Sequence, residues 1–420
     1  MINIVNNKDC CGCAACYQIC PKHCISMQAD QEGFLYPHVD KQTCVDCGLC
    51  EKVCHELHPY DERKPLKVLA AINKDEQIRM QSSSGGIFYV LAEKIIQVGG
   101  VVFGARFDEQ WQVIIDYAET MEGVKAFMGS KYVQARIEQA YRDAKQFLSE
   151  GRQVLFSGTP CQIAGLHHFL RKPYDNLLTV DIICHGVPSP LVWKEYLEEL
   201  IFRPKGVAGK NTVLSSLNEN PVITGISFRD KHNGWKKFGF SVRIKSASKA
   251  DQNSVFPSVN NENKEYIFRE PMEKNLFMRL FLKNIILRPS CYECLSKSGR
   301  SYSDVSLADY WGIWRISSEM YDNKGTSLVL GNTRKGVNLL LGMNFRYVET
   351  SYANALRYNP AIEKCCKKTE DVDEFWDCFK GNGLKGIGEY LKKYEMSFSE
   401  NAILRLKSII NRILEIYYCS

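Results

Sequence analysis

The chain has 420 residues, 45% hydrophobic and 24% charged, with a formal net charge of +6. That length and composition belong to a globular protein of two or three domains and exclude a small scaffold dependent on staples. The mild positive excess, with no compact Lys/Arg run, gives no footing for nucleic acid. No apolar run approaches the ~18 residues of a membrane span.

Met1 to Asp9 lacks a basic stretch followed by an apolar core, so no secretory signal is visible. Eighteen cysteines without export read as metal ligands in a reducing cytosol rather than as a disulfide framework. A cytoplasmic location is the expectation.

Eight of those cysteines form two copies of one spacing. The first is Cys10, Cys13, Cys16 and Cys20, followed by Pro21; the second is Cys44, Cys47, Cys50 and Cys54. Three thiolates on a tight loop and a fourth on the turn leaving it is the spacing of a bacterial dicluster ferredoxin. There the fourth cysteine of each run ligates the other cluster. The expected ligand sets are therefore Cys10, Cys13, Cys16 and Cys54 for one 4Fe-4S cluster, and Cys44, Cys47, Cys50 and Cys20 for the other. Residues 1–58 read as this module, and His58 to Pro65 as a charged, proline-punctuated linker.

From Leu66 strands alternate with helices. Val68 to Ile72, Val101 to Phe107, Trp111 to Tyr117, Val154 to Gly158 and Leu177 to Cys184 read as strands. Gly86 to Gln97, Arg136 to Glu150, Gln162 to Arg171 and Leu191 to Phe202 read as helices. Such alternation predicts βαβ units and a parallel sheet, so the fold class is α/β with α+β elements. The polar stretches 203–221 and 246–264 read as loops or lids, and Ile223 to Arg229 and Phe238 to Lys245 between them as a hairpin or meander. Residues 316–420 are expected to be a mostly helical extension, ending in a basic amphipathic stretch, Ala402 to Tyr418, that packs on its own domain or a partner helix.

Four further cysteines stand out. Cys161 and Cys184 fall at the carboxyl ends of neighbouring strands, the edge where open α/β sheets bind ligands. Cys291 and Cys294 form a Cys-x2-Cys pair. The four could hold a third cluster, a zinc ion with His185 as another donor, or remain inert thiols. Cys11, Cys24, Cys365, Cys366, Cys378 and Cys419 read as structural or incidental. His167-His168 reads as surface.

Ser82-Ser83-Ser84-Gly85-Gly86 before a helix favours an anionic phosphate, although a helix needs an N-cap in any case. Ser130-Lys131-Tyr132-Val133-Gln134 offers a cation, a ring and an amide suited to a cofactor; ordinary strand-edge residues fit equally. Asn233 to Lys237 reads as a turn or a lid over a ring system. No G-x-G-x-x-G and no P-loop is present, so a Rossmann NAD site or an NTPase has no support.

Taken in order, these motifs, together with Cys184-His185-Gly186-Val187-Pro188-Ser189, Ser227-Phe228-Arg229-Asp230 and Ala308-Asp309-Tyr310-Trp311-Gly312, resemble the coenzyme F420 hydrogenase/dehydrogenase beta-subunit family. The resemblance covers residues 1 to about 315, with the dicluster ferredoxin fused to residues 66–315. It implies an oxidoreductase binding FAD and one 4Fe-4S cluster in the α/β domain. Cys161, Cys184, Cys291 and Cys294 would be the cluster ligands, and Ser84, Gly85, Gly86, Lys131, Tyr132 and Gln134 would help hold FAD. Its implied partners are a small-molecule hydride donor or acceptor, coenzyme F420 or another compound, and a one-electron protein carrier or partner redox subunit. No catalytic residue is assigned. Two rivals are an electron-transfer subunit without its own substrate and a metal-stabilised scaffold module.

Overall fold

The computed structural model describes residues 1–202, 221–246 and 265–386. Apart from the strand-forming Pro221 and Ser246, the expected loops at 203–221 and 246–264 lie outside the described residues, as do the 402–418 stretch and Cys419.

The amino-terminal cysteine loops frame one antiparallel hairpin, β1 (Ile25–Ala29) and β2 (Leu35–Val39), with Ile25 opposite Val39. Ile2, Ile25 and several of the cysteines make their own small core. The segment expected to be a linker is instead seated: Tyr60 stacks between His168, with centroids 4.4 Å apart, and Tyr302, at 4.2 Å. Arg63 donates to the Ser303 carbonyl. Residues Met1–Thr369 accordingly form one unit.

The large sheet is built from β3 (Lys67–Ile72), β4 (Val101–Phe107), β5 (Val113–Ala118), β6 (Val154–Gly158), β7 (Leu177–Ile182), β11 (Val305–Asp309), β12 (Ser327–Gly331) and β13 (Arg346–Glu349). Their spatial order is β13-β3-β12-β11-β7-β6-β4-β5. Pairing is parallel from β4 through β6 and β7 to β11, and antiparallel at β5, β12 and β13. The fold is mixed α/β. A separate sheet, in the order β10-β9-β8, comprises β8 (Pro221–Asp230), β9 (Gly239–Ser246) and β10 (Glu265–Pro271).

The helix Ile87–Gln97 buries Ile87, Leu91, Ala92 and Ile95 against Leu69, Ala71, Val102 and Val329 of the sheet. Each large aliphatic side chain so buried contributes about 1.5–3 kcal/mol. A helical extension from residue 316 is corrected here. β12 is buried at every position, and β13 adds an edge. A short, uniformly apolar strand lacks the alternation that separates it from helix in a sequence.

The second unit, Glu370–Ser420, is described only through its helix Asp371–Gly386, where Phe375, Trp376 and Phe379 pack on one another and Gly383 leaves helical geometry.

Candidate functional site

The two cysteine runs exchange their fourth members. Cys20 from the first run joins Cys44, Cys47 and Cys50 around a single cavity. Two backbone N–H groups are aimed at this set, Ile2 N–H at Cys50 Sγ (3.2 Å) and Asp46 N–H at Cys44 Sγ (3.4 Å). Such donors stabilise thiolate charge. Cys47 is exposed, so this set reaches the surface. Cys24 belongs here too, its sulfur 3.3 Å from that of Cys20, which a reading by spacing alone missed.

Cys54 completes the other set. Burial pushes the Cys16 thiol up, and the sulfurs of Cys10 and Cys54 beside it add to the effect. Burial likewise raises Cys54, with Cys10 contributing. Crowded, buried thiols are costly as free anions and become favourable when a cluster takes their charge.

This proximal set lies against the α/β sheet. A Cβ on Gly165 would stand 3.0 Å from Cys13 Sγ, so only glycine lets the helix Pro160–Leu170 approach so closely. Cys11, which spacing left as incidental, sits between Cys13 and Cys161 and is coupled to both. Arg288, fully buried, fastens the junction. Its Nε donates to the Cys10 carbonyl (2.7 Å), Nη2 to the Leu35 carbonyl (3.0 Å) and Nη1 to Gln134 Oε1 (3.0 Å). Gln134 in turn donates to the Cys11 carbonyl at 3.2 Å. The structure therefore engages Gln134 at this junction rather than beside Ser84 and Lys131.

The inner four cysteines converge. Cys161 begins its helix behind a Thr159 capping box, and Cys184 follows β7. Cys291 lies on a short 3₁₀ turn, Pro289–Glu293, and Cys294 directly after it. Burial pushes Cys184 up to about 11, against the pull of the Lys297 ammonium, and Cys161 raises it further. Burial and the Cys161 sulfur push Cys294 up to about 12. Cys291 is raised by burial, then by Cys184, Cys294 and Cys161. Val187 N–H points at Cys291 Sγ, 3.4 Å away. Among the described residues no three His, Cys, Asp or Glu side chains close around a single ion. Cubane ligands bind four different irons and need not do so. His185 is taken up by Asn284 Oδ1 at 2.6 Å. Four clustered thiols and an ammonium form a donor set that fits an iron–sulfur cluster. Cys365 and Cys366 reach the same neighbourhood, donating to the carbonyls of Cys294 (3.5 Å) and Cys291 (3.3 Å).

The remaining expected cofactor residues lie at the same edge of the sheet. Ser83 Oγ accepts from Ser130 N–H at 2.6 Å, tying the serine-glycine loop to the Lys131 segment. Ser84 Oγ donates to the Thr326 carbonyl (2.8 Å), and Gly85 N–H donates to Ser327 Oγ (3.0 Å). Gly86 takes a left-handed φ of 81° ahead of the helix. Lys131 donates to the carbonyls of Met128 and Gly129, and desolvation pulls it down to about 7. Tyr132 stacks on Phe281 at 4.9 Å, and the other side of Phe281 meets the ring of His185 at 5.3 Å. One ring thus separates the Lys131 segment from the inner cysteines.

Sequence reasoning passed over two further cations. Lys231 is buried, and burial pulls it down to about 7, yet its Nζ meets the carbonyls of Arg79, Ser84 and Lys324 and uses all three N–H groups of the charged form. Arg229 is buried against Asp309, 2.9 Å away. Only their nearness in the fold reveals them. Trp235, expected on a turn or lid, is fully buried, stacked on Trp311 at 4.9 Å and 3°, with its indole N–H on Asp309. His167 and His168 are half-buried rather than on the surface.

Residues 151–354 match the family described as the C terminus of the coenzyme F420 hydrogenase/dehydrogenase beta subunit. That segment belongs to this family. Over 58 residues the chain is 38% identical to a ferredoxin 7Fe of Hydrogenibacillus schlegelii, 14% of this chain and 63% of that protein. Over 51 residues it is 35% identical to an uncharacterized ferredoxin of Methanocaldococcus jannaschii, 12% of this chain and 65% of that protein. It therefore spans a little under two thirds of either relative. A chain of the F420-reducing [NiFe] hydrogenase complex from Methanosarcina barkeri aligns with 18% identity and a TM-score of 0.42, over 78% of this chain and 92% of that one.

The chain thus couples a ferredoxin-like segment to a beta-subunit domain. No helix among the described residues is long and apolar enough to cross a membrane.

Proposed function

We propose that this chain is an iron–sulfur flavoprotein oxidoreductase. It would pass electrons between a small-molecule hydride donor or acceptor, coenzyme F420 or a related compound, and a one-electron protein carrier or partner redox subunit. FAD and three 4Fe-4S clusters would be its cofactors, and a reducing cytoplasm its setting. The observation that carries this reading is the succession of three cysteine sets. The inner four adjoin the proximal set through Cys11, and the proximal set shares its module with a distal set that ends at exposed Cys47.

The flavin part rests on charge. Lys131, Lys231 and Arg229 gather where Asp309 is the carboxylate paired with them. An uncompensated group of enclosed cations is costly unless an anion joins it. The phosphates of FAD supply such charge, and the flanking Tyr132, Trp235 and Trp311 rings suit a planar cofactor. When bound, a flavin exchanges two electrons as hydride on one side and single electrons on the other. This chain's residues would enclose the ring, exclude water and hold the inner cysteines one aromatic ring away.

Anaerobic purification followed by visible spectroscopy, flavin extraction and iron and sulfide assays tests the reading. The expected result is one FAD per chain and about twelve each of iron and sulfide, four per cluster. A chain without flavin, or with about eight irons, overturns the corresponding part.

A further inference from the structure

Arg229 ends the run Ser227-Phe228-Arg229 on β8 and is 6% exposed. Its Nη1 serves both Asp309 Oδ2, at 2.9 Å, and the Tyr132 hydroxyl, at 3.4 Å. The Phe238 ring lies 3.8 Å from the guanidinium carbon and the Trp311 ring 5.3 Å. What remains is the side-on edge of the fork. Nε and Nη2 lie along that edge, both are enclosed, and neither has a hydrogen-bond partner. A guanidinium presents two parallel N–H groups there, spaced to meet two acceptors on one planar group. Leaving such donors unmet costs about 1–3 kcal/mol each, more when charged, so the arrangement is one that a ligand completes.

We propose that this free edge of Arg229 is the bidentate donor to the N1 and C2=O2 edge of the isoalloxazine ring, an inference that rests on the flavoprotein reading above. The surroundings favour a flat conjugated acceptor over a phosphate. Tyr132, Phe238, Trp311 and Trp235 are the neighbouring walls, whereas the serine-glycine loop and Lys131 offer small polar groups and an ammonium for phosphate. The placement has a chemical consequence. A hydride adds two electrons and one proton to the ring at N5, and the resulting negative charge spreads over N1 and O2. A fixed cation at that edge stabilises the reduced ring more than the oxidised one. Asp309, held by the Trp235 indole N–H at 2.7 Å, keeps the guanidinium oriented. Arg229 is thus a positioning and electrostatic residue for the cofactor.

The test uses the full-length holoprotein, purified anaerobically, as wild type, Arg229→Met and Arg229→Lys. Spectroelectrochemistry reads the two-electron potential of the bound flavin, and fluorescence titration of deflavinated protein reads FAD affinity. In Arg229→Met the preference for reduced over oxidised flavin should fall about tenfold, equivalent to a potential about 30 mV lower. In Arg229→Lys the charge stays and Asp309 remains paired, so most of the potential should be kept while FAD binds about tenfold more weakly, because an ammonium cannot span two acceptors. Iron content equal to wild type marks a folded variant; if the methionine variant does not fold, the lysine variant decides. Unchanged potential and affinity in flavin-loaded variants overturn the assignment and leave the flavoprotein reading standing. Weaker FAD binding with an unchanged potential in Arg229→Met also overturns it and assigns the fork to phosphate. A wild-type chain that takes up no flavin overturns both.

Discussion

Replacing Arg288 by methionine should loosen the ferredoxin module from the sheet without emptying the core. Methionine fills most of the space but removes the donors that serve the carbonyls of Cys10 and Leu35 and the side chain of Gln134. The side-chain amide of Gln134 can turn to other partners; the two carbonyls cannot. Two orphaned buried acceptors at about 1.5 kcal/mol each give about 3 kcal/mol, after setting relief of one buried cation against the lost contacts over Tyr36 and Phe34. At 1.4 kcal/mol per factor of ten, local opening of the module becomes about a hundredfold more frequent. Native-state hydrogen exchange of the anaerobic holoprotein reads that opening directly, in the amides of residues 10–39. Proximal-cluster loss to an iron chelator should speed up in parallel. If exchange there stays within about threefold of wild type, Arg288 does not clasp the junction and the reasoning fails.

Cys161→Ser should remove about four irons, one cluster's worth, and leave the ferredoxin spectra intact while disconnecting them from substrate; full steady-state activity would show that electrons do not pass through the inner four. The flavin-free chain should gain stability as pH rises from about 7 to 10.5, because the unfolded chain keeps the Lys131 proton up to its ordinary 10.5 while the folded chain loses it near 7. Lys131→Met should flatten that part of the profile in denaturant titrations, and an unchanged slope would mean that the ammonium is solvated.

The ferredoxin ligands were legible because that chemistry is local. Three thiolates on one loop and a fourth a few residues on are fixed by chain geometry, so spacing alone names Cys10 to Cys54 and their exchange. The central parallel strands were legible for a similar reason, since alternating apolar runs and helices leave few arrangements. β12 and β13 were not, because a strand of five buried residues shows no period. Gln134 was matched by its motif to a cofactor, but its amide is engaged by Arg288 and Cys11, partners 154 and 123 residues away.

The sequence by itself determined that this chain carries iron–sulfur chemistry at its amino terminus and an α/β domain behind it. Only the tertiary structure decided how the two connect. The close approach at Gly165, Cys11 between two ligand sets, and the unpaired fork of Arg229 depend on distances between residues remote in the chain. Burial and mutual distance set the electrostatics of these groups, and no pattern along one sequence encodes them.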